Sequence, residues 1–310
     1  MRLRAWDGPS DTRAVQELSS TLWPRGPHPG GAGWVAAIQQ LPTETVLADS
    51  NGVMGWAGLA GGDLEVHVGP GSPAAARALI DWGVAAARGH DLALPVFDGD
   101  DTLRRAATDA GFVAGEADDV VVGMFRAASP GGPHLPVGYR ARSVGDDELV
   151  ERVEAHRAAW RPASLPWPAD VLPTVSPDLT SRFTAAHYDQ VRRTWLYDQE
   201  LDLVIEAPDG KLAACCIVWW DPSTRSAEIE PLGVVPEHRR KGLATGLCLE
   251  AAARVAARGG NQLFINVGPR ADYPAPAATY AAVGFTTTPR ARIYSLAQTP
   301  GNRFGLRRGG

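Results

Sequence analysis

The stretch Val234–Gly246, VVPEHRRKGLATG, places two arginines and a lysine between a proline and two glycines. The residues before it, AEIEPLG, are typical of a β-strand. Those after it, LCLEAAARVAARGG, are typical of a helix that two glycines end. Basic side chains oppose the positive end of a helix dipole, so a purely structural helix start favours acids there. The stretch therefore predicts an anion site at the first turn of a helix, where unpaired amides bind phosphates.

The composition excludes several classes of function. The chain of 310 residues has a net charge of -5, whereas nucleic-acid-binding domains are generally basic, so no nucleic-acid partner is predicted. Three cysteines in a chain of this length do not form a disulfide framework, which favours a cytoplasmic location. No histidine or cysteine spacing is typical of a metal site, so no metal is predicted. The N-terminus has no signal peptide and no apolar run reaches 18 residues, so no membrane contact is expected.

The chain has two halves that follow one plan. The segment AASPGGPHLPVG, Ala127–Gly138, is rich in proline and glycine and is predicted to be a linker. On each side of it a strand and a helix precede a hairpin, then a strand, a long helix, a strand, a short helix and a last strand. Both short helices end in Gly-Phe, at Gly111 and at Gly284. The repeat predicts an α/β fold with two tandem domains, each a mixed sheet flanked by helices. The predicted boundaries are 1–127, a linker at 128–138, and 139–310.

The loop itself identifies a family. It lacks the Gly-Lys-Ser/Thr of a P-loop and the spacing of a dinucleotide-binding fingerprint. The residues RRKGLA, Arg239–Ala244, resemble the Arg/Gln-x-x-Gly-x-Gly/Ala loop of the GNAT superfamily of N-acetyltransferases. The strand AEIEPLGVVPEH before the loop and the tyrosine helix ATYAAVGF after it resemble the same family, over about residues 200–296. The two-lobed plan resembles tandem GNAT proteins.

The resemblance implies acetyl-CoA, or another acyl-CoA, as the co-substrate. In the family this loop binds the pyrophosphate through backbone amides, which would explain the basic residues. By resemblance the amide of Leu232 polarises the thioester carbonyl and Val234 pairs with the pantetheine arm. Pro231 within the strand predicts a bulge that opens the space for this arm. The residues predicted to bind the co-substrate are Leu232, Gly233, Val234, Arg239, Arg240, Lys241, Gly242, Leu243, Ala244 and Thr245.

The reaction needs a base for the attacking amine and an acid for the departing thiolate. Tyr280 is the candidate acid, and packing of its helix onto the sheet is the structural alternative. Glu228 and Glu230 are the candidate bases, and two exposed acids on a polar strand face are the alternative. Glu228 lies eleven residues before Arg239, as the catalytic glutamate does in the resembling enzymes. Glu230 is the candidate for binding the acceptor's ammonium group.

The N-terminal half lacks these candidate binding and catalytic residues. Its corresponding loop, VGPGSPAAARAL, has no match to the Arg/Gln-x-x-Gly-x-Gly/Ala pattern, and Ala107 stands where Tyr280 stands in the second half. We therefore expect a degenerate first domain and one acetyl-CoA per chain. A further departure is Tyr273, which occupies the position where many family members have an asparagine.

The expected function is transfer of an acyl group to a primary amine of a small molecule. Acylation of a protein or peptide and a non-catalytic CoA-binding scaffold remain alternatives, and both a monomer and a homodimer are open. Six aromatic residues precede the second hairpin, where the family builds its acceptor pocket, although such residues are also typical of a core. They are Trp160, Trp167, Phe183, Tyr188, Trp195 and Tyr197.

Overall fold

The structure is a computed structural model that describes residues 1–42, 44–118, 120–267 and 273–297. The last residues of the predicted second domain, 298–310, lie outside the described residues. Through residue 127 the elements are β1 (Arg2–Ala5), α1 (Pro9–Leu22), α2 (Pro29–Ala37), β2 (Glu44–Asp49), β3 (Val53–Ala60), β4 (Asp63–Val68), α3 (Pro73–Ala86), β5 (Leu92–Phe97), α4 (Asp101–Asp109), β6 (Val113–Ala114) and β7 (Val120–Ala127).

The second half of the chain repeats this order of elements. It has β8 (Arg140–Ser143), α5 (Leu149–Ala159), α6 (Ala185–Arg193), β9 (Asp202–Glu206), β10 (Leu212–Asp221), β11 (Ser226–Val234), α7 (Leu243–Ala257), β12 (Gln262–Ile265), α8 (Ala275–Ala282) and β13 (Thr286–Leu296). Short 3-10 helices lie at Pro162–Ser164, Leu172–Thr174, Gln199–Leu201 and Pro236–His238.

The chain divides into two compact units. The first holds residues 1–18, 41–121 and the described residues from Arg290 onward, and the second holds residues 19–40 and 122–289. These units differ from the predicted domains at residues 19–40 and at the last strand of each half. At the last strands the reason is strand pairing, because β7 pairs with β12 in the second unit and β13 pairs with β5 in the first. Residues 19–40 contain α2, whose Trp34 and Ala37 pack in an apolar cluster of the second unit.

Each unit has a mixed sheet, as the sequence predicts. In the first unit the strand order is β1-β2-β3-β4-β5-β13, and in the second it is β7-β12-β11-β10-β9-β8. Each contains one parallel pair, β4 with β5 and β11 with β12. A parallel pair needs a crossover connection, and α3 and α7 supply it in the two units. The repeated topology confirms the tandem α/β architecture.

The hairpin of the second unit forms where the sequence predicts a turn. Gly210 has a φ of 83°, which a glycine adopts without strain, and Lys211 N donates to Asp209 Oδ1 over 3.2 Å. The strands that follow bury a continuous apolar core against α7, with side chains such as Ile205, Val218 and Leu247 fully enclosed. This core fixes the sheet on which the candidate site residues stand.

Helix α2 was not predicted. Its sequence, PGGAGWVAA, is rich in glycine and proline, which favours a turn when local propensity alone is considered. The stretch nevertheless forms a helix, because Trp34 and Ala37 pack into an apolar cluster with Trp219 of β10. Pro29 occupies the first turn, where its missing N–H costs nothing, and His28 Nδ1 caps the helix by accepting from Gly30 N.

Candidate active site

Strand β11 contains the bulge that Pro231 predicts. Cys216 of β10 pairs with Leu232, and Val218 pairs with Ile229, so two residues of β11 oppose one residue of β10. Within the described residues, the pairing of β11 with β12 covers only Ser226–Glu228. Beyond that point no described strand pairs with this edge of β11.

The open edge carries the amides of Leu232 and Val234. In an antiparallel pair, successive residues direct their N–H groups alternately toward and away from the partner. Val235 N donates to Ala213 O of β10 over 2.9 Å, so the amide of Gly233 also faces β10. The amides of Leu232 and Val234 then face away from β10. Backbone groups in this orientation can pair with an extended ligand as an added strand does.

Gly233 contributes space rather than an amide at this edge. A Cβ atom at this position would lie 2.8 Å from Ala159 Cβ and 3.0 Å from Trp160 Nε1. Glycine therefore allows the end of α5 to approach β11 closely. Trp160 Nε1 is buried and makes no hydrogen bond within the described part of the chain.

Glu228 lies at the point where β11 and β12 separate. It is only 2% exposed, so the alternative of an exposed acid does not hold for it. Its Oε2 accepts a hydrogen bond from Gly31 N over 2.6 Å and lies 3.5 Å from His28 Nδ1. The same Nδ1 accepts from Gly30 N, and Nε2 is buried without a hydrogen-bond partner among the described residues.

Glu230 is half-buried on the same strand, two residues further on. Burial, together with the negative charge on Glu228, raises the pKa of Glu230 to about 8. Its backbone is fixed by Trp219, whose Nε1 donates to Glu230 O over 2.6 Å. A carboxyl group with such a pKa changes its charge near neutral pH, which is a common property of catalytic and binding sites.

The loop after β11 ends in an uncapped helix start. Gly242 is the N-cap residue of α7, has a φ of 77°, and gives α7 no side-chain hydrogen bond. Among the described residues, no heavy atom lies within 4 Å of a Cβ added at Gly242, so there is room for a side chain or a ligand atom at this residue. The first intrahelical bond runs from Gly246 N to Gly242 O, and the preceding amides, of Leu243, Ala244 and Thr245, have no helical carbonyl to pair with.

The three basic residues of the loop have different surroundings. The Arg239 guanidinium donates to three backbone carbonyls, those of Val234, Ser164 and Ala159. It therefore ties the end of α5 to the end of β11. Arg240 is exposed and has a φ of 63°.

Lys241 belongs to a small polar group beside the loop. Its Nζ donates to Tyr139 Oη over 3.0 Å, and Tyr139 Oη lies 2.9 Å from His238 Nδ1. The Lys241 ammonium also lies 5.6 Å from the centre of the Tyr139 ring. Arg240 and Lys241 thus keep their charge at the accessible side of the loop, whereas Arg239 is engaged with the backbone.

Tyr280 is buried on α8 and packs against the core that contains Cys248. Burial raises the pKa of its phenol well above the ordinary value, and the thiol of Cys248 and the carboxyl of Glu230 add to this effect. The phenol therefore keeps its proton at neutral pH. Its ring contacts Phe285 edge-on at 5.9 Å between centroids, so the predicted packing role is also present.

The aromatic residues before the hairpin divide between core and loop. Phe183 and Tyr188 are buried in the cluster that also holds Trp34 and Trp219, which is the core alternative. Trp167 instead contacts Tyr273, the residue at the position of the family's asparagine, with 4.7 Å between ring centroids and 44° between ring planes.

No group of three or more histidine, cysteine or acidic side chains among the described residues could hold a metal ion. No described helix is long and apolar enough to cross a membrane. All three cysteines are buried free thiols.

Comparison with known proteins agrees with this geometry. Residues 169–285 match the model of the Acetyltransferase (GNAT) family. This part of the chain is therefore similar to GNAT acetyltransferases. The matched range contains the bulged strand β11, the uncapped start of α7 and the tyrosine helix α8. The GNAT fold implies acetyl-CoA as the co-substrate, and the open space before Gly242 and the free edge of β11 fit an elongated ligand with a diphosphate.

Solved structures show that the tandem GNAT architecture extends over nearly the whole chain. A tandem GNAT protein from the clavulanic acid biosynthesis pathway is 17% identical, with a TM-score of 0.53, and 97% of this chain and 99% of that chain are covered. An acetyltransferase from the GNAT family of Colwellia psychrerythraea is 14% identical, with a TM-score of 0.56 and coverage of 96% and 100%.

A GCN5-related N-acetyltransferase from Sphaerobacter thermophilus is 19% identical, with a TM-score of 0.51 and coverage of 97% and 96%. At these identities the likeness shows the fold alone. Comparison with curated proteins gave no significant match.

Two residues that the sequence does not indicate contact the buried carboxylate of Glu228. His28 and Gly31 lie about 200 residues before Glu228 in the chain, in a segment without a recognisable motif. The sequence does contain a signal for the start of a helix, because proline is favoured at the first helical position and Pro29 stands before two glycines and a tryptophan. Nothing in the sequence, however, indicates which strand this helix contacts.

Proposed function

We propose that this GNAT acetyltransferase transfers an acyl group from acetyl-CoA to a primary amine of a small molecule. One observation carries the proposal. Within a single compact unit, the open edge of β11 lies between two buried or half-buried carboxyl groups and an uncapped helix start. The edge of β11 complements an extended thioester, the helix start complements a diphosphate, and the carboxyl groups complement a cationic acceptor.

The helix start would hold the diphosphate. The amides of Leu243, Ala244 and Thr245 supply donors and the positive end of the α7 dipole. Gly242 lets the ligand approach the backbone, and the charges of Arg240 and Lys241 are available on the same side. The role of Arg239 is best described as support of the loop, since its donors already face carbonyl oxygens.

The edge of β11 would hold the reacting part of the co-substrate. Bound acetyl-CoA supplies a thioester whose acetyl group is transferred to the amine. The Val234 amide pairs with the pantetheine arm, and the Leu232 amide donates to the thioester oxygen. A preorganised donor at a developing oxyanion contributes about 3 kcal/mol to catalysis.

Proton transfers accompany the reaction. The ammonium group of the acceptor loses one proton to Glu228, its nitrogen forms the new bond to the acyl carbon as the carbon–sulfur bond breaks, and its second proton replaces the one that Tyr280 gives up. Glu230 balances the positive charge of the acceptor. Tyr280 still carries its phenolic proton and donates toward the departing sulfur. The near-complete burial of Glu228 supports a small acceptor over a side chain on a folded protein.

The first test is binding of acetyl-CoA by calorimetry, with a matched pair of glycine variants. Gly242→Glu places bulk and negative charge where the diphosphate would lie, and we expect affinity to fall by at least about 100-fold. Gly259→Glu is the control, because Gly259 follows the other end of α7, has a φ of 79°, and a Cβ added there likewise has no described heavy atom within 4 Å. It should bind like the wild-type protein. Unchanged affinity in Gly242→Glu would refute the assignment of the loop.

The second test identifies the acceptor class. Release of free CoA is followed with a thiol reagent against a panel of small primary amines and, separately, against peptides with free lysines and N-termini. We expect release only with small amines. Release only with peptides would assign the enzyme to protein substrates, and binding without any release would favour a scaffold.

A further inference from the structure

We infer that the turn His28–Gly31 positions Glu228, so that residues far upstream of the acetyltransferase motif complete its active site. The role of this turn in catalysis rests on the proposed function, whereas the contact between Gly31 and Glu228 is observed in the structure. Gly31 is the positioning residue: its amide binds one carboxylate oxygen and leaves the other free for the amine.

The contact is short and directional. Gly31 N donates to Glu228 Oε2 over 2.6 Å, which is at the strong end for a charge-assisted hydrogen bond. Gly31 stands in the first turn of α2, where backbone amides have no helical partner. Glu228 thus satisfies an otherwise unpaired donor, and that donor fixes the carboxylate. Within the described residues Oε1 accepts no hydrogen bond.

The position requires glycine. A Cβ atom on Gly31 would lie 2.9 Å from Glu228 Oε2, 3.0 Å from Oε1 and 3.2 Å from Cδ. All three atoms belong to the end of a flexible side chain, so an added methyl group would displace the carboxylate rather than the backbone. Replacement of Gly31 by alanine therefore moves the proposed base while costing the fold little.

The turn is anchored on both sides. At Gly30 a Cβ would lie 2.3 Å from Trp219 Cβ, so the backbone is pressed against β10. His28 caps α2, and Trp34 is buried in the apolar cluster one turn later. The amide of Gly31 consequently has a fixed place relative to the strand that carries Glu228, which is what a positioning residue needs.

The arrangement has a consequence for the domain plan. The turn lies 197 residues before Glu228, yet both belong to the same compact unit. The predicted domain 139–310 contains the loop, both glutamates and Tyr280, but it lacks the group that orients the base. The upstream segment is then part of the catalytic centre.

The test is a double-mutant cycle on the full chain with Gly31→Ala, Glu228→Ala and the double variant. We expect Gly31→Ala to keep wild-type acetyl-CoA affinity and thermal stability within a few degrees, and to lower kcat about 10–100-fold. In the Glu228→Ala background the same substitution should have no further effect on kcat. Gly132→Ala is the control, since a Cβ there has no atom within 4 Å.

Two results would overturn the inference: full kcat in a folded Gly31→Ala variant, or an equal loss of kcat in the presence and absence of the Glu228 carboxylate. A readout that needs no turnover separates it from the proposed function. Hydrogen exchange at the Gly31 amide, followed by NMR with labelled glycine, should be slow in the wild-type protein and faster in Glu228→Ala. If no amine is acylated but this difference is seen, the proposed function fails and the contact stands. If the exchange rates are equal, the positioning contact is absent.

Discussion

Replacement of Glu230 by glutamine should change how the stability of the protein depends on pH. The pKa of Glu230 is raised from 4.5 to about 8 by burial and by the charge on Glu228. Between these pH values the folded protein keeps a proton that the unfolded chain has lost. The folded state therefore binds more protons, and the free energy of unfolding falls as the pH rises. The contribution is fully present below pH 4.5 and lost above about pH 8.

The size of the effect follows from the same values. One pH unit corresponds to about 1.4 kcal/mol, so a fully enclosed carboxyl group would lose about 5 kcal/mol over the interval. Because Glu230 is only half-buried, solvent screens part of this, and we expect about 2 kcal/mol. Glutamine has a similar shape and no titrating proton, so Glu230→Gln should gain about 2 kcal/mol relative to wild type between pH 5 and pH 9.

The assay is urea unfolding at pH 5, 7 and 9, followed by tryptophan fluorescence. Glu237→Gln is the control, because Glu237 is exposed on the loop after β11 and its replacement should leave the pH dependence unchanged. A constant difference in unfolding free energy between Glu230→Gln and wild type at all three pH values would refute the account of Glu230.

Four further predictions concern catalysis and binding. Tyr280→Phe keeps the buried ring and removes the phenolic proton, so kcat should fall about 10²–10⁴-fold with little change in acetyl-CoA affinity. Full kcat in this variant would mean that Tyr280 has only a packing role. Glu228→Gln should lower kcat/KM about 10²–10⁴-fold at neutral pH, with a smaller defect at high pH, where the amine arrives deprotonated. A defect that does not depend on pH would contradict the role of Glu228 as the base. Arg239→Gln should lower the free energy of unfolding by about 2 kcal/mol and weaken acetyl-CoA less than Gly242→Glu does, whereas the reverse order would mean that Arg239 faces the ligand. Calorimetry should give one acetyl-CoA per chain, since the first half lacks the loop, and two equivalents of similar affinity would contradict a degenerate lobe.

The sequence predicts those parts of the site that depend on local chemistry. Pro231 cannot donate to a ladder, so a bulge within β11 follows from its place in the strand. This prediction needs only the proline and its immediate neighbours, and the structure confirms it.

Long-range contacts explain what the sequence does not predict. The charge of Arg239 is visible in the sequence, but the direction of its guanidinium depends on carbonyls of a segment about 75 residues away. The partner of Glu228 depends on burial of Trp34, which makes a helix of a glycine-rich stretch. Tertiary packing overrides local propensity in this way wherever an apolar side chain finds a core.

The two glutamates on β11 differ because their neighbours differ. Glu228 is enclosed and its carboxylate is held by the Gly31 amide, whereas Glu230 keeps an open side and has a pKa of about 8. At neutral pH most of the Glu230 carboxyl groups therefore carry a proton until a positive charge approaches. An acceptor that arrives as an ammonium ion supplies that charge and favours ionisation of Glu230, while a neutral alcohol does not. We therefore expect the pair to favour amines over hydroxyl acceptors, at the position next to the exposed edge of β11 where the proposed acyl transfer takes place.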